Sequence, residues 1–191
     1  MKKLFTYLFF IIFSFQTPSQ ADDIRDFQIE GMSIGDSALD YFSEAEIKNN
    51  KRNYYRNNEF SDSEITISGE LYKSVHINYK TDDDKYIMEG ISGTILYKHN
   101  VKDCYKKRDE IVKEISSVFT DTKPKNAGKV KHGQDKTGKS TLSNILFHFK
   151  AGDLIMVSCY DWSKEMKYTD HLRISFGTKK FGDFISYKAY K

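Results

Sequence analysis

Val101, Cys104, Tyr105, Arg108, Ile111, Val112, Ile115, Val118 and Phe119 recur at steps of three and four. At a helical period they form one broad apolar stripe, which needs a partner surface before it can leave water. The spacing therefore predicts an amphipathic helix over 100–119 that lies across another layer. Asn100 is placed to cap it, with Asp103 in the acidic position of a capping box. Cys104 faces inward on the stripe. Arg108 is its one polar member, expected to run its methylenes over the core and keep its head in water or against a carboxylate.

The partner layer is legible as period-two alternation. Leu71, Lys73, Val75, Ile77 and Tyr79 alternate with Tyr72, Ser74, His76, Asn78 and Lys80, as in a half-buried strand. Thr81 to Asp84 turns the chain into a returning strand with Ile87, Ile91, Ile95 and Tyr97 on one face. Gly90 and Gly93 within it point to a bulge or a close backbone approach. Ile145, Phe147 and Phe149, the turn Ala151 to Asp153, and the nearly continuous apolar run Leu154 to Tyr160, which holds Cys159, read as a second hairpin. Leu172, Ile174 and Phe176 make a last strand, and Thr178 caps a terminal helix carrying Phe181, Phe184 and Ile185. Near the other end, two short helical turns are expected between Asp36 and Asn49, the second marked by the capping box Ser43–Glu46. Residues 49–70 read as a loop with one weak strand, and the lysine-bearing stretch 120–140 as a mobile loop. The expected architecture is a single α+β domain over 22–191: an antiparallel sheet of two hairpins plus a final strand, packed by one long helix and short terminal helices.

The first 21 residues have the parts of a bacterial secretory signal peptide: Lys2 and Lys3, an uncharged run from Leu4 to Phe15, and small residues ahead of a cleavage point between Ala21 and Asp22. The apolar run is shorter than the ~20 residues a membrane span needs, so no transmembrane anchor is expected after cleavage. Removal of this segment leaves 170 of the 191 residues and takes two lysines from a balance of 30 basic to 27 acidic. The nearly neutral remainder lacks the basic excess of a nucleic-acid-binding surface. A periplasmic or secreted destination is oxidising, and the chain's two cysteines, Cys104 and Cys159, are expected to pair there.

Gly133 to Ser140 matches GxxxxGK[ST] at every fixed position. That motif works only between a buried strand and a helix, where backbone N–H groups wrap phosphates and the lysine reaches the terminal ones. Here the preceding Lys129–His132 is no core strand and the following residues alternate as one, so nucleotide binding is not expected. His76, His99, His132, His148 and His171 lack metal-ligand spacing, and Asp82, Asp83 and Asp84 lack the rest of a calcium loop, so no metal or other cofactor is expected. No Gly-x-Ser-x-Gly elbow is present. The residues singled out for a ligand surface are Tyr72 and Trp162, as stacking groups, and His76 and His148, as a pair if their strands are neighbours.

The segments DFQIEGMSIGDSALDYFSEAEI (26–47), CYKKRDEIVKEISSVF (104–119) and CYDWSKEM (159–166) resemble a family of short exported proteins of AT-rich marine bacteria that has no assigned function. The resemblance implies export and one domain, and carries over no site residue. Together with the motif reading it favours a non-catalytic exported module that binds an envelope protein or a small ligand. The alternative is a small exported hydrolase whose site is assembled from distant residues.

Overall fold

The computed structural model describes residues 23–69, 71–98 and 100–191. The cleavage point between Ala21 and Asp22, and His99, lie outside the described residues. All eight strands form one antiparallel sheet: β1 (Lys51–Arg52), β2 (Phe60–Thr66), β3 (Ser74–Lys80), β4 (Met88–Leu96), β5 (Lys125–Lys131), β6 (Thr141–His148), β7 (Leu154–Asp161) and β8 (His171–Gly177), in the order β1-β2-β3-β4-β8-β7-β6-β5. Among the described residues three α-helices accompany it: α1 (Glu44–Asn49), α2 (Val101–Val118) and α3 (Lys179–Tyr187).

This corrects the expected architecture of two hairpins plus a final strand. The sheet is two four-strand meanders joined where β4 pairs with β8, and the long helix spans 18 residues. Each missed strand has a physical reason. The sequence of β2, FSDSEIT, lies in the stretch read as a loop with one weak strand, and its signal is weak because its polar residues Ser61, Asp62 and Ser63 are buried and satisfied inside the protein rather than by water. The 120–140 stretch, expected as a mobile loop, contains the edge strand β5, every residue of which is exposed. An edge strand with both faces wet carries no apolar alternation, and its lysines and bulge fit an edge guarded against further pairing. The bulge falls between Asn126 and Gly128, where the register against β6 shifts, and Gly128 takes φ +80° beside it.

α2 leaves the end of β4, crosses the sheet over β7 and β8, and delivers the chain to the far edge, from which β5 to β8 walk back to the middle. Asn100 caps it, accepting from the Asp103 N–H. Its buried residues Cys104, Ile111 and Ile115 meet Ile155, Val157, Cys159, Leu172 and Ile174 in the main core, and Cys104 is bonded to Cys159 with 6.0 Å between the Cα atoms. Arg108 keeps its head at the stripe's margin, donating to Ser143 Oγ at 2.7 Å and pairing with Asp109 at 2.7 Å. The N-terminal turns pack on the same core through Ile24, Ile29, Met32, Ala38 and Ile47, and the Ser43–Glu46 capping box is formed in both directions.

α3 packs on the opposite face. Phe184 packs at a tilt against Phe60 at 4.9 Å and edge-to-face against Tyr55 at 5.1 Å. Phe181 lies so close over Gly90 that a Cβ there would come within 2.5 Å of its ring. Gly93, on the α2 face, is covered as closely by Tyr72. Both glycines of β4 are therefore places where a ring lies on bare backbone.

The Cys104–Cys159 bond ties α2 to β7 across 55 residues of chain. Chain-entropy arguments give such a loop a stabilisation on the order of 4 kcal/mol. Urea unfolding of the Cys104→Ser/Cys159→Ser double variant should show a loss of a few kcal/mol with a steeper slope against denaturant, since the unlinked unfolded chain exposes more surface; a loss under about 1 kcal/mol would contradict this role.

Candidate ligand-binding face

Strand alternation gives the sheet two unlike faces. Val75, Ile77, Ile155, Val157 and Ile174 point into the core under α2, and their neighbours in sequence point the other way. On that second face the cross-strand register aligns Ser74 (β3), Thr94 (β4), Arg173 (β8), Ser158 (β7) and Asn144 (β6) in one row perpendicular to the strands. A polar row at the centre of a wide sheet would ordinarily face water. Here Ser158 is fully buried and Thr94 is 6% exposed.

Four consecutive members of the row, Thr94 through Oγ1, Arg173 through Nε, Ser158 through Oγ and Asn144 through Oδ1, are buried at those atoms with no hydrogen-bond partner among the described residues. A buried polar atom left without a partner costs about 1–3 kcal/mol. Four of them would forfeit an amount comparable to the whole stability of a domain, about 5–15 kcal/mol. Such a row is suited to pairing with something small and polar that is not part of the chain.

Beside the row lies a satisfied network. Asp62 (4% exposed) accepts from Asn78 Nδ2 at 2.7 Å and from His76 Nδ1 at 3.1 Å, and Asn78 Nδ2 also reaches the Tyr55 hydroxyl at 3.1 Å. His76 Nε2 lies 3.3 Å from Arg173 Nη2. Guanidinium nitrogens only donate, so Nε2 must accept and the ring hydrogen sits on Nδ1, facing Asp62. Glu64, 3.7 Å from His76 Nε2, is engaged by Arg52 at 3.1 Å and by the Tyr54 hydroxyl at 3.2 Å. Among the described residues no carboxylate lies within ion-pair distance of Arg173, whose guanidinium rests over the Tyr160 ring at 5.5 Å. Arg173 is thus held by a ring nitrogen of His76 and the face of Tyr160 rather than by a carboxylate.

Rings close one end of the face. Tyr160 stacks on His171 at 4.3 Å, and Trp162 contacts His132 at 4.4 Å and Tyr168 at 4.8 Å. His171 Nδ1 donates to the Thr169 carbonyl at 3.0 Å, leaving a buried Nε2 without a partner. Burial lowers the His171 pKa to about 4, with Arg173, His76 and His132 adding to the effect and the Thr169 carbonyl opposing it. His132 is lowered as well, again chiefly by burial.

Of the four residues expected to form a ligand surface, only His76 and Trp162 flank this row. His76 is not an outward strand residue: it is 3% exposed and bound to Asp62. His148 sits exposed at the end of β6, with β4, β8 and β7 between its strand and that of His76, so the two cannot pair. Tyr72 lies on the α2 face against Gly93, with burial pushing its hydroxyl up to about 12. A groove of about 330 Å³ also lies on that α2 face, lined by Phe27, Tyr72, Ile115 and Val118 and remote from the polar row. Among the described residues no three His, Cys, Asp or Glu side chains gather as metal ligands. Sequence reasoning passed over Asp62, Thr94, Ser158 and Arg173. Their signal was a polar residue at every second position of several strands, which becomes a row only once strand order and register are known.

The loop 133–140 is built around its own carboxylate. Asp135 accepts from the backbone N–H groups of Thr137 at 2.9 Å and Ser140 at 2.8 Å, and from the hydroxyls of Thr137, Ser140 and Ser163. These hydrogen bonds, Ser140 foremost and then Thr137, hold the Asp135 pKa well below the usual carboxylate range. The groups that would wrap a phosphate are thus turned onto Asp135, and Lys139 pairs with Glu165.

Two outcomes follow from these contacts. His171 stays neutral in the folded protein down to about pH 4, whereas the unfolded chain takes up its proton near 6.5. The unfolded state therefore binds more protons between those values, and stability falls on acidification through that window, by at most about 1.4 kcal/mol per pH unit from this group. Urea titrations at a series of pH values should show this slope flattened in His171→Gln; an unchanged slope would assign it elsewhere. In the loop, Asp135→Ala should lower the melting temperature clearly, while Lys139→Ala, which removes only an exposed ion pair, should leave it within about 2 °C. The opposite order would restore the lysine to a structural or binding role.

No family model, curated protein or solved structure matches this chain, so the reading of its polar face rests on the geometry of that face.

Proposed function

We propose that this chain is a non-catalytic exported module that holds a small polar ligand against the polar face of its sheet. The observation that carries the reading is the row Thr94–Arg173–Ser158–Asn144, four adjacent residues on four strands, each with a buried polar atom that no described residue pairs. A rigid sheet is a good platform for such a site because register fixes the spacing of its donors and acceptors. Export is supported by the signal-like first 21 residues and by the Cys104–Cys159 bond, which suits an oxidising compartment. Among the described residues no helix is long and apolar enough to cross a membrane.

A second reading, a small hydrolase, is favoured by the buried Asp62–His76 pair, since a carboxylate orienting a histidine is two-thirds of a nucleophile-activating relay. The rest of the geometry argues for binding. His76 Nε2, the atom that would take a nucleophile's proton, is directed at Arg173. The hydroxyl on the neighbouring strand, Ser92 Oγ, donates instead to Ser175 Oγ at 2.9 Å.

The test is a thermal-shift panel on the mature, oxidised protein using neutral sugars, amino acids, carboxylates, phosphate and small cations. At least one class should raise the melting temperature of the wild type, and the gain should shrink in Ser158→Ala. Because Ser158→Ala deletes a buried hydroxyl that has no partner, the unliganded variant should be as stable as the wild type or up to about 1 kcal/mol more so. Equal stabilisation of the variant by every compound would place binding off this face. Turnover of model esters lost in His76→Gln would put the hydrolase first.

A further inference from the structure

We infer that the ligand of the polar face carries a carboxylate, bound at the Nε edge of Arg173 between the hydroxyls of Thr94 and Ser158. This deepens the binding reading above and rests on it. Arg173 is the middle member of the row, with Thr94 opposite it on β4 and Ser158 opposite it on β7. Its Nε–H is buried and has no acceptor, and both flanking hydroxyls are likewise buried and unpartnered. Three donors set side by side on adjacent strands, one of them charged, match the lone pairs of a carboxylate oxygen pair. The Nε–H carries part of the guanidinium charge, so an anionic acceptor makes a charge-assisted hydrogen bond there that a neutral one does not.

Charge also decides against a dianion. Arg173 is the cation that reaches this row, while Asp62 stands just behind His76, hydrogen-bonded to it at 3.1 Å. With Asp62 already close to this one cation, a carboxylate adds one further negative charge whereas a dianionic phosphate would add two. His76 acts as a positioning residue. It is fixed by Asp62 through Nδ1 and accepts from Arg173 through Nε2, so one guanidinium nitrogen is anchored and Nε is left for the ligand.

The experiment follows the Arg173 Nε–H resonance and Trp162 fluorescence in the oxidised mature protein during titration with sodium acetate. Acetamide, phosphate and sodium chloride serve as controls at matched ionic strength. Trp162 is the chain's only tryptophan and stands 6.0 Å from Tyr160, whose ring carries the guanidinium. Acetate should shift the Arg173 signal saturably, with no saturable effect of chloride or acetamide and weaker binding of phosphate. Arg173→Lys keeps the charge and loses the planar donors, and should weaken acetate at least ~10-fold. Ser158→Ala should weaken it by several-fold without loss of folding, so the result does not depend on Arg173→Lys being well folded. The inference is overturned if acetate leaves the Arg173 signal unmoved, if acetamide matches acetate, if phosphate binds more tightly, or if acetate affinity is unchanged in Ser158→Ala. If a neutral compound from the thermal-shift panel binds wild type and Arg173→Lys alike while still depending on Ser158, the binding reading stands and the carboxylate assignment falls.

Discussion

The antiparallel pairing of β4 with β8 is the constraint on which the rest of the structure depends. Their Cα partners run from Gly90↔Gly177 to Leu96↔His171, so strands about 80 residues apart in sequence form the centre of the sheet. Without that seam the chain is two separate four-strand meanders, each with a side left open. With it, α2 has a continuous apolar surface to lie on, and α3 can set Phe181 over both Gly90 and Gly177, which face each other across the same seam. The seam also puts Thr94 beside Arg173, so the fold's principal long-range contact and its candidate site share a pair of residues.

The two faces of the sheet carry opposite energetics. Under α2, large aliphatic side chains leave water and a covalent bond fixes the helix to β7. On the other face, Asp62, His76 and Asn78 are buried at the expense of desolvation and recover it through mutual hydrogen bonds, while the row through Arg173 is left with open valences. A protein selected only for stability would fill that row with Val and Thr, as sheets commonly do. The presence of Arg, Ser and Asn there instead fits a surface on which stability is given up for recognition.

How much of this was legible in the chain differs from part to part, for physical reasons. The helix over 100–119 was plain because burial on one stripe writes a 3.6-residue period, and Cys104 on that stripe with Cys159 in an apolar run foretold which elements the disulfide would join. β3, β4, β6, β7 and β8 were plain because one of their faces is a hydrocarbon core. β5 was hidden because both its faces are wet, and β2 showed only as one weak strand because polar residues such as Ser61, Asp62 and Ser63 are buried in it and blur the alternation that marks a strand. The site was illegible for a related reason. Arg173 and Ser158 look like solvent-facing residues within their own strands, and only the register across five strands shows that they are adjacent and enclosed. Conversely, the fullest motif match, Gly133 to Ser140, was discounted on its flanks, and Asp135 occupies the centre its backbone N–H groups would offer to a phosphate.

The central claim is that the polar row receives its hydrogen bonds from outside the chain. High-resolution diffraction from crystals of the oxidised mature protein tests it most directly, through the density within hydrogen-bonding distance of Thr94 Oγ1, Arg173 Nε and Ser158 Oγ. The account predicts ordered water or ligand atoms bridging at least two of these groups. A dry row, closed over by side chains with its polar atoms paired to one another, would contradict it.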